Sequence, residues 1–195
     1  MLKKSILNTI VQIGAKVVTG ILGLLVTGLL VRKLGIKIYG QFVLISSVMV
    51  LFDALADFGT KIVGVREMAS KVEEKDKLEL WKQIWWLRLI LATMTFGLGL
   101  VWVIGWSGFR EIRGEDLVAL SMIWLTSMAG SMEIIFQERL RMDLKVVGDV
   151  LLPLLFLGMV WRLNKINLLM VLGIYWIARG VSLMVEIKIG KINKQ

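Results

Sequence analysis

The chain has 195 residues, 57% of them hydrophobic and only one of them proline, with a formal net charge of +9 and neither cysteine nor histidine. So large an apolar share exceeds what one soluble core can hide, and lipid is the solvent that accepts it. The missing residue types exclude thiol nucleophiles, disulfides, the usual zinc sites and histidine acid–base catalysis, so neither an enzyme nor a metal or other cofactor is expected.

The amino terminus places Lys3 and Lys4 before an apolar stretch. That stretch is too long for a cleaved signal and lacks a small-x-small cleavage site, so it is expected to be a retained first span, about 10–31. Along it Asn8, Gln12, Lys16, Thr19, Gly20, Gly23 and Thr27 recur at steps of three and four, which is one helix face. Lys16 on that face either snorkels to the interface or faces a wet interior. A second span over 38–58 carries Ser46, Asp53 and Asp57 on one face. Asp53 is the deeper carboxylate, a candidate either for ion coupling or for pairing with Lys16, and Asp57 is expected to cap the helix or sit among headgroups.

The connection 61–82 mixes Val65, Met68, Val72, Leu78 and Trp81 with alternating charges, which fits an interfacial amphipathic helix pair or a solvated loop. The third span, 89–109, has no charged residue and is preceded by Arg88, which shares a face with Ala92, Thr95 and Gly99. The fourth, 117–137, aligns Thr126, Gly130, Glu133 and Gln137. The fifth, 146–161, contains Pro153, expected to kink it by removing a backbone donor. The sixth, 166–187, aligns Tyr175, Arg179, Ser182 and Glu186. Trp81, Trp85, Trp86, Trp102, Trp106 and Trp161 fall near span ends, where an aromatic belt would lie.

Together these define an all-α polytopic membrane protein, a single domain over 1–195 built as a bundle of six transmembrane helices. Alternate loops give fourteen basic residues on one side: Lys3, Lys4, Lys61, Arg66, Lys71, Lys75, Lys77, Lys82, Arg139, Arg141, Lys145, Lys188, Lys191 and Lys194. The other side has seven: Arg32, Lys33, Lys37, Arg110, Arg113, Arg162 and Lys165. The positive-inside rule therefore predicts a multi-pass protein of the cytoplasmic (inner) membrane with both termini in the cytoplasm. Basic residues spread between apolar blocks, without one aromatic-bearing stripe, argue against nucleic acid as a partner.

An ionised group at mid-membrane costs roughly 3 kcal/mol or more, so the polar stripes are expected to face a shared interior. Lys16, Arg88 and Arg179 would make that interior a cationic, anion-binding cavity, with Asp53 or Glu133 as candidates for ion coupling. No carboxylate metal motif accompanies them.

The run Leu30-Val31-Arg32-Lys33-Leu34-Gly35, then Tyr39-Gly40, Asp57-Phe58-Gly59 and Arg66-Glu67-Met68-Ala69, resembles the amino-terminal region of polysaccharide biosynthesis flippases. These are the O-antigen and teichoic-acid exporters within the multidrug, oligosaccharidyl-lipid and polysaccharide exporter superfamily. The resemblance is strongest over about the first 70 residues and implies a carrier of lipid-linked oligosaccharide working by alternating access, its substrate's pyrophosphate in a cationic cavity and its lipid tail in the bilayer. It implies helix-end geometry for Arg32, Gly35, Tyr39, Gly40, Asp57, Gly59 and Arg66, with phosphate contact a second role for Arg66. Such flippases resemble two six-helix bundles, so this chain corresponds to one lobe, expected to work with a second lobe or a homodimer partner. A multidrug-type small-molecule exporter and a non-transporting accessory subunit of glycan assembly are the alternatives.

Overall fold

The computed structural model describes residues 2–105, 113–139 and 141–192. Expectations that fall on Trp106, the 106–109 end of the third span, Arg110 and Lys194, and on the side chains of Lys3, Lys4, Asn8, Arg113 and Lys191, lie outside what it describes. The described chain is helical: α1 (Leu2–Asp57), α2 (Thr60–Ser70), α3 (Glu74–Gly105), α4 (Arg113–Glu138), α5 (Met142–Arg162) and α6 (Leu168–Ile192).

Five of these helices are long and apolar enough to cross a membrane, not six. The difference lies in α1, where the first two predicted spans form one 56-residue element broken only at Gly35, with φ 76° and ψ 164°. That backbone region is closed to residues with a Cβ, so a glycine is required there. Each arm of α1 exceeds the ~20 residues a helix needs to cross hydrocarbon, and the two arms run in opposite directions. Lys16 of the first arm lies beside Lys145 and Asp149 at the start of α5, while Lys33 reaches the end of α5. The second arm passes from Ile45, packed on Ala119, to Asp57, paired with Arg88.

The fold-back is fastened at the Gly35 end by Lys33. Its Nζ donates to the carbonyls of Val160 at 2.8 Å, Trp161 at 2.9 Å and Leu163 at 2.5 Å, satisfying acceptors that the end of α5 leaves open. Sequence counting had given Lys33 only a topological part. Beneath it Val26, Leu30 and Leu34 bury against Phe156 and Val160 of α5 and Val171, Ile174 and Ala178 of α6.

α3 and α4 are antiparallel neighbours. Arg88, Ala92, Thr95, Gly99 and Val103 are buried, whereas Ile90, Met94, Leu98 and Val101 are exposed. This is the 3.6-residue period of a helix with one face on protein and the other on lipid. Gly99 permits the close approach, because a Cβ there would run into the Leu120 side chain. The third helix begins at Glu74 instead of 89, so the expected interfacial pair resolves into α2 and the first turns of α3. α2 lies on the bundle through Gly64 and Met68, which are buried. Asn167 opens α6 by accepting from the Met170 N–H at 2.8 Å. α5 continues as a helix through Pro153.

Lys33→Met keeps the apolar stem but leaves three carbonyls without their charged donor. About 1.5–3 kcal/mol of stability should be lost, on the scale of a hydrogen bond to a charged group. Thermal unfolding in detergent will report it, and an unchanged melting temperature would remove the clasp.

Candidate functional site

At the end of the bundle opposite Gly35, the first arm of α1, the last turns of α4 and the first turns of α5 enclose a chamber of about 220 Å³. Gln12, Ala15, Lys16 and Thr19 line it from α1, their spacing of three, one and three placing them on one face. Glu133 and Gln137 enter from α4, and Lys145 and Asp149 from α5.

Glu133 is the hub. Its Oε2 lies 3.6 Å from both Lys61 Nζ and Lys145 Nζ, and its Oε1 accepts from Gln137 Nε2 at 3.0 Å. Lys145 also donates to both oxygens of Asp149, at 2.9 and 3.2 Å, one helical turn ahead. Two carboxylates thus occupy two of the three lysines. Lys16, exposed on α1, has no ion pair within 4.0 Å among the described residues, so it is the lysine of the chamber wall that no carboxylate holds.

Behind the chamber, α6 is pressed on α5 at Gly148. Ser182 Oγ donates to the Gly148 carbonyl at 2.9 Å, and the Glu186 side chain occupies the space where a Cβ on Gly148 would sit. Glu186 is 2% exposed, so the polar face Tyr175, Arg179, Ser182 and Glu186 does turn inward, as its period predicted. Arg179 Nε is buried with no hydrogen-bond partner among the described residues.

A second cavity, about 250 Å³, opens nearer the Gly35 end between the second arm of α1, α4 and α6. Its walls are apolar except for Ser46, Asp53, Thr126 and Tyr175. Asp53 and Lys16 therefore stand in different cavities and are not partners. Glu133, the other ion-coupling candidate, belongs to the lysine chamber.

The three cations expected to share one cavity are not together. Lys16 faces the chamber, Arg179 lies within the bundle on α6, and Arg88 is locked in packed protein at 2% exposure. Arg88 Nη1 donates to Asp57 Oδ1 at 2.6 Å and to Thr60 Oγ1 at 2.7 Å, and its Nε donates to the Ser127 carbonyl at 3.0 Å. Ser127 Oγ in turn donates to the Arg88 carbonyl at 3.2 Å. A Cβ on Gly130 would collide with the guanidinium, so α4 keeps a glycine there. Asp57, expected at a cap or among headgroups, is the partner this arginine requires.

Of the remaining motif residues, two glycines lie at helix breaks. Gly35 breaks α1, and Phe58 with φ 40° and Gly59 with φ 75° make the left-handed turn into α2. Tyr39 packs on Phe42 with ring centroids 6.2 Å apart. Arg32, Gly40 and Arg66 are exposed. Sequence reading passed over Lys61, Lys145 and Asp149 as site residues; the i,i+4 spacing of the last two was the available signal. Trp81 also ties α3 to α4, its indole N–H donating to the Ser131 carbonyl at 2.9 Å.

Removing one partner of a buried ion pair leaves the other charge unmet, at a cost of about 3–5 kcal/mol. Arg88→Ala and Asp57→Ala should each destabilise on that scale, and the double variant should cost clearly less than their sum. Additive melting shifts in a double-mutant cycle would contradict the clamp.

A family model described as polysaccharide biosynthesis protein matches residues 5–192. No curated protein and no solved structure matches the chain.

Proposed function

Because the chain belongs to the polysaccharide biosynthesis protein family, we propose that this multi-pass membrane protein carries lipid-linked oligosaccharide across the cytoplasmic membrane as one lobe of an alternating-access exporter. The observation that carries the reading is Lys16, the lysine of the chamber wall that no carboxylate holds. A pyrophosphate entering between helices needs positive charge that the protein has not already spent on its own carboxylates, and Lys16 supplies it at an open wall. Arg179, whose buried Nε has no hydrogen-bond partner among the described residues, is a second cation for the same anion when the helices separate. Arg88 we assign to the scaffold.

The polyprenyl chain stays in lipid against the exposed apolar surface, so only the charged head group and sugars require the polar face. Both termini lie in the cytoplasm on this reading, which puts the chamber at the cytoplasmic mouth. The lobe rocks against a second lobe, and Asp53 and Glu133 couple an ion to that movement. A lysine that no carboxylate holds disfavours the multidrug-type reading, since a site for cationic drugs would present a carboxylate instead. A non-transporting accessory subunit would need no water-reachable chamber.

Lys16→Glu should lower surface glycan in an export complementation assay on the order of tenfold, as loss of about one charge-assisted contact would, while Lys16→Arg retains it. Wild-type export from Lys16→Glu would sink the anion-binding role. With no native cysteine in the chain, single-cysteine variants give a clean second measurement. Thr19→Cys in the chamber wall should react with a water-soluble maleimide and Thr95→Cys, 4% exposed between α3 and α4, should not. Protection of both positions would favour the accessory-subunit reading.

A further inference from the structure

Another cavity, about 520 Å³, lies away from the chamber, where α2, α3, α4 and α6 meet at the basic end of the bundle. Its two parts differ in chemistry. The deeper wall is apolar, with Met68 of α2, Trp81 of α3, Met132 and Ile135 of α4 and Ile187 of α6, and Leu78 of α3 stands at its exposed edge. The rim is ionic and formed by helix ends: Glu74, Lys75 and Lys77 in the first turn of α3, and Glu138 and Arg139 at the end of α4.

The rim charges are partly matched among themselves. Lys77 Nζ lies 2.8 Å from Glu138 and 3.2 Å from Glu74, and Arg139 lies 3.6 Å from Glu74. Three cations face two carboxylates, and Lys75 has no ion pair within 4.0 Å among the described residues. The lining therefore has a net charge of one positive at the mouth of the groove and an apolar depth.

We propose that this groove binds one molecule of a singly anionic bilayer phospholipid of the phosphatidylglycerol type, with its phosphate at Lys75 and Arg139 and an acyl chain along Trp81, Met132 and Ile135. Net charge complementarity selects an anionic head group over a zwitterionic one, and basic pockets between transmembrane helices are a recurrent place for such head groups. The methionines give a wall that adapts to a flexible chain, and the volume is that of a small-molecule pocket, not of a gap between side chains. The lipid would wedge α2 and α6 against α3 and α4, stabilising the lobe without touching the chamber. The inference is independent of the transport reading, since a lobe that moves nothing would still hold the lipid.

Native mass spectrometry of the full chain, reloaded with equal phosphatidylglycerol and phosphatidylethanolamine, tests it. One phosphatidylglycerol should remain per chain under activation that strips phosphatidylethanolamine. Lys75→Glu, an exposed position, should weaken that adduct by about tenfold or more, since it moves the rim charge by two units. Leu78→Trp, which fills the groove from its exposed edge, should abolish the adduct while circular dichroism is unchanged. Should Leu78→Trp misfold, Lys75→Glu still decides. Equal retention of the two lipids, or a wild-type adduct in Lys75→Glu, would overturn the proposal. One-for-one displacement of phosphatidylglycerol by a polyprenyl phosphate would overturn it too, by assigning the groove to a carrier lipid.

Discussion

In hydrocarbon there is no water to meet a charge, so a buried ionised group must find a protein partner, and the Arg88–Asp57 pair is where this requirement shapes the bundle. One guanidinium reaches the end of α1 through Asp57, the start of α2 through Thr60 and the middle of α4 through Ser127. Four helices are fixed by five-donor geometry that no lysine could supply. The sharp turn at Phe58 and Gly59, held in left-handed backbone, is tolerable because its two flanking residues are both ligands of that arginine.

The same requirement explains why the bundle has two fastened ends. At the Gly35 end, Lys33 takes up the carbonyls that close α5, so the first arm of α1 cannot drift from α5 there. At the other end Lys61, Lys145, Glu133 and Asp149 tie α2, α4 and α5, while Lys77, Glu138 and Glu74 tie α3 to α4. Between these ends the packing is carried by small residues: Gly99 under Leu120, Gly130 under Arg88 and Gly148 under Glu186. Close backbone approach replaces the hydrophobic drive that lipid removes.

What distinguishes the two candidate sites is a lysine without an ion pair beside carboxylates that other cations hold. Lys16 in the chamber and Lys75 at the groove are cations whose neighbouring carboxylates are already engaged by other lysines or by Arg139. The two sites lie on different sides of α4, which contributes Glu133 and Gln137 to one and Met132, Ile135 and Glu138 to the other. α4 is accordingly the most protein-enclosed of the long helices.

Local chemistry was enough to establish the membrane class, the helical content and the inward faces of α3 and α6. Each follows from composition or from a 3.6-residue period, which any one segment carries by itself. The short motifs around Gly35, Tyr39 and Asp57 also pointed to the family that residues 5–192 match. Which charges meet was not legible, because a stripe on one helix states a direction and not a partner. Arg88, Lys16 and Arg179 have equivalent settings in the sequence, yet one is clamped, one faces open space and one lies within the bundle. That difference depends on how far each helix is shifted along its neighbours, a quantity set only when Gly35 folds α1 back and the helices pack.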